Sequence, residues 1–304
     1  MHYLESCAHS GMVHSISVCH TKNLAITGSE DAEIKVWDLD TARLIRTIRG
    51  HTASVSCVSS CLDDTHILSL SSEDDSFRLW EIDSGKLVTT YPALTKNLFN
   101  PAVVLKFVVT PDGKNVISTF NDFIKVWNVS NGEPISIFRR HKGLVMSLAI
   151  SCDGQFVISG AQDREIKVWD IKQGSLYDVI VPKLEIRNPM IGIKPIAVTP
   201  NGQCILFSGM GSHDIYMWNN HSKELVRCFQ GHSSLISGIN ITPDNKFILS
   251  SSYDCSALLW DFETGNKISA FSVDGPIAAS AFSPIENTIL LGEKSGQLHF
   301  LRLS

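Results

Sequence analysis

The chain has 304 residues, of which 43% are hydrophobic and 19% charged, with a formal net charge of −5 and a pI of about 6.1. This composition provides enough apolar material for a sizeable core. It provides no basic surface for a nucleic-acid backbone, so DNA and RNA are not expected partners. No apolar stretch is long enough to span a membrane, and the first residues lack the pattern of a signal peptide.

The eight cysteines are scattered without paired spacing, which is typical of a reduced cytoplasmic protein rather than a disulfide-bonded one. Cys57 and Cys61 lie close together, but no second Cys or His pair is near enough in sequence to complete a zinc site. The chain also lacks a glycine-rich phosphate loop, a His-Glu-x-x-His motif and a nucleophile elbow. We therefore expect no cofactor, no metal and no membrane association.

One stretch, Val157 to Asp170 with the sequence VISGAQDREIKVWD, recurs along the whole chain. Its copies end on the aromatic residues Trp37, Trp80, Trp127, Trp169, Trp218, Trp260 and Phe300. A period of roughly 40–45 residues built from short apolar runs is typical of propeller blades. Seven copies predict an all-β, seven-bladed β-propeller that occupies residues 1–304 as a single domain.

Glycine-containing turn signals separate the predicted strands and set the blade bounds. In chain order the blades are predicted over residues 12–48, 55–91, 104–138, 145–180, 193–229, 236–271 and 277–303. The last repeat ends directly after its third strand, while residues 2–7 form a spare strand at the other end of the chain. We expect residues 2–7 to pair with blade seven, which removes an exposed sheet edge and closes the ring.

The repeats resemble the WD40-repeat family. The resemblance rests on a Trp-Asp or Trp-Asn pair in five repeats, on Gly50-His51 and Gly231-His232, and on an Asp six residues before the Trp in four repeats. It implies a buried tetrad in which the Trp indole donates to a Ser or Thr hydroxyl and the hydroxyl donates to a His held by an Asp. The implied tetrads are His9, Thr27, Asp31 and Trp37 in blade one, His141, Ser159, Asp163 and Trp169 in blade four, and His232, Ser250, Asp254 and Trp260 in blade six.

A His, Ser and Asp set also occurs in hydrolases, but here the indole takes the hydroxyl and the set repeats in several blades. We therefore expect a structural role and no enzyme activity. Blade two is expected to lack the tetrad because Leu70 stands where a Ser is usual, and blade three keeps Ser118 and Asp122 without a His. Blade five has no clear Asp and blade seven has lost the whole set, so these two blades are predicted to be the weakest.

The resemblance also implies a partner-binding face, made by the loop into each inner strand and the turn before each tetrad Asp. The predicted residues of this face are Met12, His14, Glu30, Glu73, Val103, Leu105, Asn121, Leu144, Met146, Gln162, Lys194, Leu235, Tyr253 and Glu293. Glu293, Glu30 and Glu73 come from consecutive blades, and apolar residues dominate the next two. Such a face suits a protein segment that is basic at one end and hydrophobic at the other. The alternative is that apolar members such as Leu105 and Met146 pack into the core.

Two features favour the ligand-sensing, autoinhibitory WD-repeat region of a larger NACHT- or apoptosome-type signalling ATPase. The chain opens directly in the closing strand, and Leu291 to Leu303 looks like the terminal repeat of such proteins. One partner would then be the ATPase domain of the same protein. A second hypothesis is a substrate receptor of a cullin-type ubiquitin ligase, because Trp169-Asp-Ile-Lys172 is similar to an adaptor-docking box, with Lys where Arg is usual. A stand-alone WD40 scaffold in another complex is the third.

Overall fold

The structure is a computed structural model that describes residues 2–93, 106–182, 192–209, 211–283 and 288–302. All regular secondary structure in these ranges is β-strand, as predicted. The strands in chain order are β1 (His2–Cys7), β2 (Val13–Val18), β3 (Leu24–Ser29), β4 (Ile34–Asp38), β5 (Leu44–Ile48), β6 (Cys57–Cys61), β7 (His66–Ser71), β8 (Ser76–Glu81), β9 (Leu87–Pro92), β10 (Phe107–Val109), β11 (Asn115–Phe120), β12 (Phe123–Asn128), β13 (Pro134–Arg139), β14 (Val145–Ile150), β15 (Phe156–Ala161), β16 (Ile166–Asp170), β17 (Ser175–Ile180), β18 (Ile193–Val198), β19 (Cys204–Gly209), β20 (Ile215–Asn219), β21 (Glu224–Phe229), β22 (Ile236–Ile241), β23 (Phe247–Ser252), β24 (Ser256–Asp261), β25 (Lys267–Ser272), β26 (Ile277–Ser283), β27 (Thr288–Glu293) and β28 (Gln297–Arg302).

The strands form seven four-stranded antiparallel sheets, which confirms the predicted seven-bladed propeller class. Blade one is β2–β5, blade two β6–β9, blade three β10–β13, blade four β14–β17, blade five β18–β21, blade six β22–β25, and blade seven β26–β28 together with β1. No helix long and apolar enough to cross a membrane occurs in the described ranges.

Two compact units divide the chain. The first contains residues 1–104, 112–114 and 275–304, and it carries blades seven, one and two. In this unit β1 pairs with β28 along its whole length, from His2 opposite Arg302 to Cys7 opposite Gln297. The prediction that the N-terminal strand completes the last sheet is therefore confirmed. Buried apolar side chains such as Trp37 and Phe300 pack together in the core of this unit.

The second unit contains residues 105–111 and 115–274 and carries blades three to six. Burial falls from the middle of each sheet to its outer strand. In blade four, β15 and β16 are buried over almost their whole length, whereas β17 alternates between exposed and partly buried side chains. The difference follows the position in the sheet, because β15 and β16 each pair with a strand on both sides and β17 pairs on one side only.

A register shift lies just before the Trp of the third strand in blades one to six. The residue that precedes the shift pairs with one outer-strand residue in each blade. Val36 pairs with Arg46, Val168 with Asp178, and Met217 with Arg227. These outer-strand residues are therefore structurally equivalent, although the sequences of the outer strands are dissimilar.

Candidate functional site

The structure brings the four predicted residues of blade one together in a buried chain of hydrogen bonds. Trp37 Nε1 donates to Thr27 Oγ1 at 2.9 Å, and His9 Nε2 lies 2.8 Å from the same hydroxyl. His9 Nδ1 lies 2.9 Å from Asp31 Oδ2. Because the indole can only donate, the hydroxyl proton is free to point at His9 Nε2, and the Nδ1 proton then points at the carboxylate. The tetrad joins β3, β4 and the loop that precedes β2.

Blades four and six repeat this geometry. In blade four the Trp169 indole donates to Ser159 at 2.9 Å, and His141 lies 2.7 Å from Ser159 and 2.8 Å from Asp163. In blade six the distances are 2.9 Å for Trp260 to Ser250, 2.8 Å for Ser250 to His232 and 2.9 Å for His232 to Asp254.

Blade two also holds a complete tetrad, so the expectation based on Leu70 is wrong. Trp80 Nε1 donates to Ser69 Oγ at 2.8 Å, while His51 lies 2.7 Å from Ser69 and 2.6 Å from Asp74. Ser69 precedes its Trp by 11 residues, whereas Thr27 precedes Trp37 by 10. One additional residue between Ser69 and Asp74 accounts for the difference, because Asp74 and Asp31 both lie six residues before their Trp. The Gly50-His51 pair and the Asp six residues before Trp80 were the signals that could have found it.

Burial controls the protonation of the tetrads. Burial lowers the pKa of three tetrad histidines, which are His9, His51 and His232. The reason is that burial penalises the imidazolium form more than the carboxylate partner stabilises it. Burial alone would raise the pKa of the carboxylic acids, but donated hydrogen bonds hold the pKa below its usual value in Asp31, Asp74, Asp163 and Asp254. Near neutral pH the tetrads of blades one, two and six therefore pair a neutral imidazole with a charged carboxylate.

We expect the free energy of unfolding to fall as the pH is lowered from about 6.5 to about 5. His9, His51 and His232 have folded pKa values below the unfolded value, so the unfolded chain binds more protons in this window. Their contribution is complete above the unfolded pKa and is lost progressively as the pH falls from the unfolded pKa through the folded pKa. Urea unfolding at several pH values measures the effect, and His51→Asn should reduce the pH dependence. Stability that is constant or rises on acidification in this range would contradict the expectation.

A shared backbone hydrogen bond joins the two segments of the predicted binding face in four blades. The amide of the residue before the tetrad Asp, or of its equivalent, donates to a carbonyl in the loop into the inner strand. The four bonds, each 2.9 Å long, are Glu30 to Met12, Gln162 to Leu144, Tyr253 to Leu235 and Lys294 to Pro276. The bond fixes the turn and the loop side by side, so their side chains form one surface within each blade.

In the first unit, Glu30 and Glu73 are exposed, while Met12 and His14 are partly buried. Glu30 Oε2 also accepts a hydrogen bond from the Met12 amide at 3.3 Å. The acidic character predicted for this part of the face therefore rests on these two glutamates.

Glu293 does not belong to the exposed face, and its assignment needs correction. It is only 1% exposed, and its carboxylate contacts His299 Nε2 at 2.7 Å and Ser295 Oγ at 2.6 Å. Gly292 pairs with Leu298 as Gly28 pairs with Ile34, so Glu293 is equivalent to the buried Ser29. The face position of blade seven belongs to the exposed Lys294, which interrupts the predicted acidic arc with a positive charge.

The second unit carries the more apolar part of the face. Leu144, Met146, Leu235 and Tyr253 are partly buried, while Gln162 and Lys194 are exposed. Although the Lys194 residue is exposed, desolvation of its ammonium group and then the charge of Lys106 lower the pKa of Lys194. Asn121 is partly buried and adopts a φ of 48° in the tight turn between β11 and β12. Val103 and Leu105 lie outside the described residues.

Blades three and five depart from the tetrad geometry. In blade three the Trp127 indole donates to Ser118 at 3.0 Å, without a His in the preceding loop of the sequence. In blade five Phe207 is the structural equivalent of the tetrad hydroxyl residue, and the buried Trp218 Nε1 has no hydrogen-bond partner among the described residues. An unpaired buried donor is costly, which keeps the prediction that blade five is among the weakest.

One cluster has the composition of a metal site. His9, Asp31 and Glu33 each place a potential ligand atom within 4.8 Å of the others. The His and Asp atoms already bond each other in the tetrad, and Glu33 forms ion pairs with Lys35 at 3.3 Å and Arg49 at 2.7 Å. These partners occupy the groups that a metal would require.

The chain is similar in sequence to several known proteins. The chain is 24% identical to Autophagy-related protein 16 of Arabidopsis thaliana over 98% of the chain and 48% of that protein. It is 28% identical to Nuclear distribution protein PAC1-2 of Uncinocarpus reesii over 88% of the chain and 62% of that protein. It is 23% identical to Periodic tryptophan protein 2 of Arabidopsis thaliana over 63% of the chain and 21% of that protein. The chain thus spans about a fifth to three fifths of the length of these relatives.

The family model WD40, described as "WD domain, G-beta repeat", matches residues 3–38, 42–81, 132–170 and 223–261. These residues together make up just over half of the chain. Each matched stretch ends at a Trp-Asp pair or, in the second, at Trp80-Glu81, on the strand that carries the tetrad Trp. With its seven four-stranded sheets and its repeated buried tetrads, the chain belongs to the WD40 repeat family.

Proposed function

We propose that the chain is a non-catalytic protein-interaction scaffold. It binds its partner through the predicted binding face, which is formed by the loops into the inner strands and the turns before the tetrad Asp residues. The observation that supports this most directly is the backbone hydrogen bond that pairs loop and turn in four blades. It holds side chains of varied chemistry at equivalent positions on a rigid framework. Such a framework suits protein recognition, because the side chains of the loops can differ from one family member to another while the β-sheet scaffold stays the same.

The buried tetrads argue against a hydrolase. Their hydroxyls accept from a Trp indole and lie against a His that is itself held by an Asp, for example in Thr27, Trp37 and His9. The hydroxyl of Thr27 is fully buried, so a substrate has no route to it. The relatives named above are described by terms as different as autophagy and nuclear distribution, which is consistent with one scaffold adapted to different partners.

The chemistry of the face narrows the partner. In the second unit, Leu144, Met146 and Leu235 offer partly exposed apolar side chains, and Tyr253 adds an aromatic ring with a polar end. In the first unit, only Glu30 and Glu73 of the predicted acidic arc are exposed. We therefore propose that the second unit binds apolar side chains of a partner protein and that the two glutamates of the first unit bind basic side chains.

We expect Met146→Asp to abolish partner binding and to leave the melting temperature nearly unchanged. A carboxylate at a partly exposed position is solvated in the free protein, but it must lose water when an apolar partner covers it. The measurement compares proteins captured from a cell lysate by the immobilised chain and by the variant, with thermal melts of both. Ile268→Asp is the matched control, because Ile268 is 50% exposed on the outer strand of blade six. A large drop in melting temperature for Met146→Asp would instead assign Met146 to the core.

A finer proposal places the propeller in a NACHT-type signalling ATPase as its ligand-sensing, autoinhibitory region. It is supported by the form of the terminal repeat from Leu291 to Leu303. An immunoblot of the endogenous protein tests it. A band far above 33.5 kDa supports a multidomain protein, and a band near that mass contradicts the proposal. In the second case, adaptor binding with and without the exposed Lys172 would test the cullin-ligase hypothesis.

A further inference from the structure

An arginine of the outer strand connects blade one to blade two within the first unit. Arg46 of β5 donates from Nη2 to the carbonyl oxygen of Asp83 at 2.7 Å and from Nη1 to that of Ser84 at 3.2 Å. Both carbonyls belong to the turn between β8 and β9. The side-chain stem passes Gly85, whose φ of 70° and missing Cβ allow the close approach. The guanidinium thus fills the groove between these two sheets.

Arg227 makes the same connection between blades five and six in the second unit. Its Nη1 donates to the carbonyl oxygen of Phe262 at 3.1 Å and to that of Glu263 at 2.5 Å, in the turn between β24 and β25. The stem again passes a glycine, Gly265, with a φ of 76°. The groove is therefore built to receive a planar, multidentate cation at this depth.

Between blades four and five, the equivalent residue is Asp178. It pairs with Val168 in the register in which Arg227 pairs with Met217. A short carboxylate cannot reach or donate to the carbonyls of the next turn. Lys223 takes the place of Gly265 in that turn, with a φ of 58°, and its ammonium forms an ion pair with Asp178. This groove therefore lacks the guanidinium that occupies the other two.

A cavity of about 190 Å³ remains in this groove. Its floor is apolar and includes Phe156 and Val168, and Tyr177 lies beside it with 66% of its surface exposed. Its polar end contains Asp178 and Asn220. The Asn220 amide donates to the Gly202 carbonyl at 2.8 Å, and its Oδ1 is buried without a hydrogen-bond partner among the described residues. The cavity thus combines a carboxylate, an apolar floor and an aromatic ring.

We propose that this cavity binds the side chain of an arginine from a partner protein, which takes the place that Arg46 and Arg227 take within the chain. Asp178 accepts from the guanidinium, and the ring of Tyr177 and the apolar floor contact its face and stem. Lys223 is about half exposed, and exposed ion pairs of this type are weak, so it yields readily to a bidentate guanidinium. The site is separate from the face of loops and turns and does not depend on it.

The test uses N-acetyl-arginine amide as the probe and the citrulline analogue, which has nearly the same shape without the charge, as the control ligand. Binding is followed from the amide NMR signals of Gly202 and Lys223 in the full chain. The arginine probe is expected to shift both signals in a saturable way, and the citrulline analogue is expected to bind at least about tenfold more weakly.

Three variants complete the experiment. Asp178→Arg combined with Lys223→Gly should fill the groove from within, as Arg227 does beside Gly265, and should abolish probe binding with an unchanged or higher melting temperature. Asp178→Asn should weaken binding at least about tenfold, and Lys223→Gly should strengthen it by freeing the carboxylate and restoring the glycine of the equivalent turns. Equal binding of both ligands, binding that survives in the combined Asp178→Arg and Lys223→Gly variant, or no binding to the natural chain and to Lys223→Gly would each overturn the proposal.

Discussion

Replacing Glu293 with alanine is expected to lower the free energy of unfolding by about 3–5 kcal/mol, because it removes one member of a buried carboxylate–imidazole pair. Glu293 and His299 are each 1% exposed and lie 2.7 Å apart on neighbouring strands of blade seven. Water cannot replace the lost carboxylate around the buried His299. Urea unfolding followed by tryptophan fluorescence measures the change.

Lys294→Ala is the matched control for this variant. It alters the adjacent residue, which is exposed, so its effect is expected to stay within about 0.5 kcal/mol. If Glu293→Ala changed partner binding with no loss of stability, Glu293 would belong to the binding face after all. The comparison thus separates a structural carboxylate from a recognition residue at neighbouring positions.

Replacing Ser69 with alanine is expected to cost about 2–4 kcal/mol of unfolding free energy, since two buried groups lose their partner at once. The Trp80 indole donates to this hydroxyl, and His51 lies 2.7 Å from it. Both would remain buried without it. The expectation is specific to the observed geometry. If Leu70 occupied the hydroxyl position of this blade, as the sequence alignment of the repeats placed it, Ser69→Ala would change the free energy of unfolding little.

Two other serines provide graded controls. Ser118 contacts the Trp127 indole without a tetrad His, so Ser118→Ala is expected to cost about 1–2 kcal/mol. The buried hydroxyl of Ser136 has no hydrogen-bond partner among the described residues, so Ser136→Ala is expected to be neutral or slightly stabilising. Equal effects of the three substitutions would mean that the hydroxyl networks contribute little and that packing dominates.

The fold class could be predicted because the evidence for it is repeated. Each of blades one to six is a local unit of four consecutive strands, and its apolar alternation and closing Trp lie within a short stretch of sequence. The tetrads of blades one, four and six could be placed for the same reason, because the spacing from hydroxyl to Trp is the same in each, for example from Ser159 to Trp169.

Errors arose where one residue is inserted or displaced. An extra residue before Asp74 moved Ser69 away from its expected position. The alignment on Phe300 shifted the predicted positions of blade seven by one residue, because Leu301 pairs with Ile289 as Trp37 pairs with Ala25. Side chains alternate between the two faces of a strand, so a shift of one residue exchanges a buried for an exposed position. That exchange separates the buried Glu293 from the exposed Lys294.

The sequence by itself determined the all-β class and the seven repeats, because strand alternation and short turns are local properties. It also determined the pairing of residues 2–7 with the last strand, because the last repeat has only three strands and residues 2–7 are the one spare strand. Only the tertiary structure decided the register of blade seven, the complete tetrad of blade two, and the equivalence of Asp178 with Arg46 and Arg227. These depend on which side chains neighbouring sheets bring together. Such contacts join residues distant in sequence, and no period in the chain encodes them.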